Sequence, residues 1–95
     1  MHQRNDAELL SAYTDRQSEA AFGLLLERHV ALVYSAALRQ VQNPQLAEEV
    51  TQATFVILAQ KARRLNERAV LSGWLCRTAH FVARNALKAE IRRHF

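Results

Sequence analysis

The chain has 95 residues, of which 49% are hydrophobic and 23% are charged, a composition typical of one small globular domain and not of a disordered segment. Its single cysteine, Cys76, excludes an internal disulfide and a cysteine-based zinc site, and it suits a reducing compartment. Two glycines and one proline leave few turns, which favours long helices. No apolar run approaches membrane-spanning length, so we expect a cytoplasmic protein with no membrane insertion.

The net charge of +4 is concentrated near the end of the chain. Residues 1–71 carry eight basic and eight acidic side chains, which balance. Residues 72–95 carry five basic side chains against one acidic side chain, Glu90. A charge excess confined to one segment predicts that a polyanion docks there.

The first half of the chain predicts two helices. Asn5 is a candidate N-cap with Glu8 three residues later, and it begins a short helix over Ala7–Tyr13. After a polar break, a long helix is expected from Ser18 to about Gln42. The residues predicted to share its buried stripe are Phe22, Leu25, Leu26, Val33 and Ala37.

The second half predicts two more helices. Asparagine at position 43 followed by proline is a strong helix-start signal, so the third helix should span Pro44 to about Ala62. Its expected core positions are Leu46, Val50, Ala53 and Ile57. Residues 63–72 have weak periodicity and predict a loop with one turn of helix. The fourth helix should open at Ser72 or Gly73. These elements predict an all-α fold, a compact four-helix domain covering residues 1–95.

Two faces of the fourth helix differ in chemistry. The face expected in the core consists of Leu75, Ala79, Val82 and Ala86. Cationic, aromatic and amide side chains fall within an arc of about 100° on another side: Trp74, Arg77, Phe81, Arg84, Asn85, Lys88 and Arg92. Cations can follow phosphates and aromatic rings can stack on unpaired bases, so this face suits single-stranded nucleic acid. The alternatives are a solvated basic face and, for Trp74, a core position under the preceding loop.

The third helix carries an acceptor-rich patch without a basic residue four positions on: Gln45, Glu48, Glu49 and Gln52. One interpretation is structural, because carboxylates near a helix N-terminus complement its dipole. The other is a docking surface for the basic helix of a partner. Phe55 and its apolar neighbours extend more hydrophobic surface than one stripe needs, which fits either a core or an interface.

The order of these segments resembles a known family. DAELLSAY, LLERHVALVYSAALR, NPQLAEEVTQATF and GWLCRTA follow one another in the chain. Together they are similar to region two of bacterial RNA polymerase sigma factors of the extracytoplasmic-function group. The resemblance spans about Asp6 to Arg93 and is most specific at Ala47–Phe55 and at the Trp74–Leu75 pair.

That resemblance implies two binding surfaces and no cofactor. The third helix would dock on the clamp helices of the polymerase β′ subunit through Glu48, Glu49 and Gln52, with Gln45 and Phe55 on the same surface. The following loop would capture a flipped base of the non-template promoter strand, which points to Arg63, Arg64 and Asn66. The last helix would contact the minus-ten element and help to melt it through Arg77, Phe81, Arg84, Asn85 and Lys88, with Arg92 at its end. Trp74 would be structural, and an anti-sigma factor would be a further partner.

The sequence also departs from the family pattern. Many members have asparagine, aspartate and arginine where Phe81, Asn85 and Lys88 stand, so the base preference stays open. Family members carry a second, helix-turn-helix domain that nothing in this sequence supplies. We expect an excised domain; the alternative is a sequence that keeps only the clamp-binding and melting half.

Other function classes fit less well. Glu48 and Glu49 splay by about 100° on a helix, so they cannot flank one scissile bond. The histidines at positions 2, 29, 80 and 94 lack metal-ligand spacing. We therefore expect neither an enzyme nor a metal site. A duplex-reading helix-turn-helix would need a shorter turn than residues 62–73 provide. A small helical adaptor with a nonspecific basic helix remains the alternative.

Overall fold

The computed structural model describes residues 4–65 and 70–94 as four α-helices and a short 3₁₀ turn. The helices are α1 (Asp6–Arg16), α2 (Glu19–Val41), α3 (Pro44–Lys61) and α4 (Leu71–Arg93), and the 3₁₀ turn is Ala62–Arg64. The described ranges contain no strand. The predicted all-α class with four helices is confirmed.

Side-chain caps start the first three helices where the sequence predicts them. The Asn5 side chain accepts a hydrogen bond from the Glu8 N–H at 2.8 Å, and the Glu8 carboxylate accepts one from the Asn5 N–H at 3.5 Å. Ser18 caps α2 and Asn43 caps α3, each accepting from the N–H three residues on at 3.1 Å. These bonds satisfy backbone donors that a helix N-terminus otherwise leaves unpaired.

Two helix boundaries differ from the prediction. α1 continues three residues past Tyr13 to Arg16, because Gln17 ends it with a left-handed backbone (φ 54°). α4 begins at Leu71, one or two residues early, although Val70 provides no side-chain cap. Leu71 is 3% exposed, so its burial sets the start of α4 in place of a cap.

The core stripe of α2 takes every fourth residue along the whole helix: Ala21, Leu25, His29, Val33, Ala37 and Val41. Because four residues turn an α-helix by about 400°, this stripe drifts by about 40° at each step and winds around the axis. α2 contacts α1, α3 and α4, as such a winding stripe allows. The prediction placed Leu26 in the stripe and was wrong there, since Leu26 is 36% exposed; Phe22 is half-buried.

The register of α3 is only partly as predicted. Leu46 and Val50 are buried, but Ala53 and Ile57 are half-buried and do not form the centre of the stripe. Thr51 and Thr54 are buried instead, and each hydroxyl donates a 2.7 Å hydrogen bond to the carbonyl four residues earlier. A threonine satisfied within its own helix packs like a hydrophobic residue, which polarity patterns do not reveal.

The buried stripe of α4 covers only the first half of the helix. Leu71, Leu75, Ala79 and Ala83 are buried. Val82 and Ala86, which were predicted in the core, are half-buried and pack against it. Among residues 84–94, all of which the structure describes, none is buried.

By length and composition α2 is apolar enough to cross a membrane, which the sequence analysis did not anticipate. The core helix of a soluble protein has the same composition. Six residues of α2 are buried against the other helices.

Candidate polymerase and nucleic-acid interfaces

The first candidate surface, which we call the acidic shoulder, consists of Gln45, Glu48, Glu49 and Gln52. All four side chains are exposed on the first half of α3. Glu48 and Glu49 form no ion pair within the described part of the chain. The flanking residues Ala47 and Val50 are buried, so the shoulder lies on the side of α3 that faces away from the core. Two carboxylates without internal partners are available to a basic partner.

Phe55 occupies a different environment from the rest of the predicted docking set. Its ring is 5% exposed and belongs to the core. The remaining surface of Phe55 forms part of an apolar groove of about 450 Å³ between α2 and α3. Leu26 and Val56, which are 36% and 55% exposed, form its walls.

This groove, which we call the α2–α3 groove, continues the acidic shoulder. Gln52 belongs to both, so charged and apolar surfaces meet at one place on α3. Sequence reasoning missed the part contributed by α2 because it assigned Leu26 to the core. The excess of apolar residues around Phe55 was the only signal of it in the sequence.

The second candidate surface is the basic face of α4. Its residues other than Trp74 are all exposed: Arg77, Phe81, Arg84, Asn85, Lys88 and Arg92. The one acidic residue of this segment, Glu90, is engaged elsewhere, since its carboxylate accepts a hydrogen bond from Arg93 at 3.2 Å. No ion pair within the described ranges neutralises the basic face.

A second groove runs along the N-terminal half of this face, between α3 and α4. Its volume is about 480 Å³, and we call it the α3–α4 groove. Trp74 and Phe81 contribute aromatic surface, and Lys61 and Arg77 contribute cations. Trp74 is half-buried and packs against the core, whereas Phe81 is 62% exposed.

The two arginines predicted to lie in the loop after α3 do not line the α3–α4 groove. Arg63 and Arg64 lie in the 3₁₀ turn and are exposed. Arg63 lines a pocket with the end of α1 and with Glu19 at the start of α2. The cation that α3 brings to the groove is Lys61, which sequence reasoning missed because it considered cations only in the loop and in the fourth helix. Asn66 lies outside the described residues.

The family model for sigma-70 region 2 matches residues 25–93. This range contains both candidate surfaces and most of α2. No curated protein and no solved structure shows a significant match to the chain. Because the match covers well over half of the sequence, the chain belongs to the sigma-70 region 2 family, whose members act in transcription initiation with core RNA polymerase and promoter DNA.

Proposed function

We propose that the acidic shoulder docks this domain on the clamp helices of the polymerase β′ subunit. Glu48 and Glu49 are exposed and have no ion pair to break within the described ranges. Contact with a basic helix would therefore gain attraction without breaking an internal salt bridge. The dipole interpretation of these carboxylates is not supported, because α3 has no acidic residue in its first turn and the dipole effect falls off within that turn.

The α2–α3 groove supports the same docking. Protein interfaces place an apolar centre inside a polar rim, and the centre supplies most of the affinity. Here the walls formed by Leu26 and Val56 lie next to Gln52 of the shoulder. A partner helix can thus place apolar side chains in the groove and cations on the shoulder. An anti-sigma factor would compete for the same surface.

We propose further that α4 recognises and melts the promoter minus-ten element through the non-template strand. The observation that carries this proposal is Phe81, an aromatic ring left 62% exposed among unpaired cations of the described surface. Aromatic rings stack on unpaired bases, whereas paired bases are already stacked inside the duplex. Lys61 and Arg77 line the same groove as the ring and would hold phosphates next to a stacked base.

The energies indicate that the two surfaces act together. Stacking of one base contributes about 1–3 kcal/mol, and unstacking a base from the duplex costs a few kcal/mol. The isolated domain should therefore bind single strands weakly and should open a duplex only when held on the polymerase. The proposed role is non-catalytic, and we expect it in the cytoplasm. Assignment to the extracytoplasmic-function group stays a prediction.

Docking is tested by capture on a purified β′ clamp coiled coil. The double variant Glu48→Lys, Gln52→Ala should no longer be captured, while its helicity stays unchanged. Asp15→Lys makes the same charge change on α1 and should be captured like the wild type. Retention of the double variant would refute the docking surface, and failure of all three proteins to bind would favour the adaptor alternative.

Promoter opening is tested by permanganate reactivity of thymines, on a promoter selected from random DNA by the wild-type holoenzyme. The double variant Arg84→Ala, Lys88→Ala should reduce reactivity and flatten the salt dependence of binding by about 0.7 for each phosphate that the variant leaves unneutralised. Arg93→Ala is the matched control, because Arg93 pairs with Glu90 and lies about 180° around the helix from Arg84. Reactivity equal to that of the wild type in the double variant would contradict the proposal.

A further inference from the structure

α1 is fastened to α2 at both of its ends, although it lies outside the residues that match the family. At its start, the Asp6 carboxylate accepts a hydrogen bond from Arg28 at 2.9 Å, and its other oxygen lies 2.9 Å from Nε2 of His29. At its end, the rings of Tyr13 and Phe22 stand 4.8 Å apart between centroids. Two fixed ends leave α1 little freedom to tilt on α2.

The same helix touches the 3₁₀ turn that follows α3. Leu10 is half-buried, packs against the core and lines one pocket together with Ala62, Arg63 and Leu65. Ala62 is 4% exposed and Leu65 packs against the core. The backbone that carries Arg63 is therefore held between the end of α3 and the side of α1.

The side chain of Arg63 has no comparable support. It is exposed and makes no hydrogen bond or ion pair within the described ranges. Asp15 and Glu19 line neighbouring pockets without pairing with it. The backbone of the turn therefore sets only the point from which this cation reaches out, and α1 supports that backbone.

We propose that α1 is a brace that positions Arg63 for the promoter strand, with Asp6 and Leu10 as positioning residues that do not themselves touch DNA. The inference rests on the proposed function and adds one contact to it, that of Arg63 with the promoter strand, which the family resemblance implies. Movement of α1 would displace the cation without altering the acidic shoulder, which lies on the exposed side of α3. DNA binding and polymerase binding should then respond differently to a change in α1.

The test is a double-mutant cycle in the holoenzyme, using fluorescence anisotropy with a single-stranded oligonucleotide of the selected minus-ten sequence. Leu10→Ala and Arg63→Ala should each weaken binding by up to about fivefold, the upper end of the range for one exposed charge contact. Together they should weaken it no more than Arg63→Ala alone. Leu10→Ala combined with Arg84→Ala should instead multiply the two effects. Capture on the clamp coiled coil should stay unchanged throughout.

Controls separate positioning from a general decrease in stability. Val41→Ala removes a buried side chain at the far end of α2 and should leave DNA affinity unchanged at a temperature where the domain is folded. Asp6→Asn, which keeps the side-chain shape and weakens the contact with Arg28, should reproduce the non-additive pattern if Leu10→Ala does not fold.

Two results would overturn the inference. One is an equal decrease in affinity when Leu10→Ala is placed in the wild type and in the Arg63→Ala background. The other is an Arg63→Ala variant that binds like the wild type. The second result would leave the proposed function untouched, because that proposal is tested separately by the permanganate reactivity of the Arg84→Ala, Lys88→Ala variant.

Discussion

α2 and α4 both have 23 residues, and in both helices every fourth residue is buried. The two buried stripes differ in how far they extend along the helix. In α2 the buried stripe runs from Ala21 to Val41, almost the whole helix. In α4 it runs from Leu71 to Ala83 and then ends. A helix that stays in the core must keep apolar residues at fixed intervals, whereas one that leaves it is free of that constraint.

Beyond Ala83, where the buried stripe of α4 ends, the helix carries mainly polar and charged residues on its exposed surface. Four cations occupy the second half of α4: Arg84, Lys88, Arg92 and Arg93. α2, which is covered on several sides, carries two cations, Arg28 and Arg39, and the first of these is paired with Asp6. Stability and the proposed DNA binding therefore depend on different stretches of similar helices, and the end of the buried stripe marks the boundary between them.

The largest expected effect tests this boundary directly. Leu25→Ala in α2 and Leu75→Ala in early α4 remove fully buried side chains, so each should lower the free energy of unfolding by about 2–5 kcal/mol. Ile91→Ala in late α4 removes a side chain that is 58% exposed and should change it by less than about 0.5 kcal/mol. Urea denaturation followed by circular dichroism measures all three.

A decrease for Ile91→Ala as large as that for Leu75→Ala would mean that late α4 contributes to stability as much as early α4 does. An intermediate decrease would move the boundary from Ala83 towards Leu87, which packs against the core while remaining half-buried.

A smaller effect is expected at Phe81, on the basic face of α4. Phe81→Ala should weaken single-strand binding by about 1–3 kcal/mol, because it removes the stacking surface, and should leave the unfolding free energy nearly unchanged. Phe81→Leu keeps apolar area without a π face and serves as the matched control. Anisotropy titrations with single- and double-stranded oligonucleotides measure the difference; an equal decrease in affinity for both substrates would argue against base stacking.

The smallest effects concern the helix starts. α2 is capped by Ser18, so Ser18→Ala should cost about 1 kcal/mol of stability. α4 begins after Val70, which is 72% exposed, has extended backbone angles and makes no capping bond. Val70→Ser should therefore stabilise the domain by roughly 0.5–1 kcal/mol. A shift of the thermal midpoint in the opposite direction would mean that the exposed valine has another contact.

Most of the fold could be predicted from local signals. The caps at Asn5, Ser18 and Asn43 depend on residues within one turn of each other, so they are visible in the sequence. The exposure of Phe81 was predicted for a similar reason, because helical geometry alone places it on the side away from Leu75. Family membership also followed from the sequence, through the order of the four motifs.

The errors share one physical cause, which is that burial depends on neighbouring helices. Leu26 is apolar yet exposed, because α2 turns its stripe towards α1, α3 and α4 and leaves this residue beside a groove. Thr54 is polar yet fully buried, because the carbonyl of Val50 satisfies its hydroxyl within α3. A period calculated for one isolated helix contains no information about which neighbours cover it.

The helices, the caps of the first three, the charge asymmetry and the family could all be predicted, since each is encoded in residues close together along the chain. The positions of the α2–α3 and α3–α4 grooves, the meeting of Lys61 with Arg77 and Phe81, and the contact of α1 with the turn carrying Arg63 depend on how the helices pack. Those features arise between helices, where distant residues meet because burying their apolar faces lowers the free energy of the folded chain.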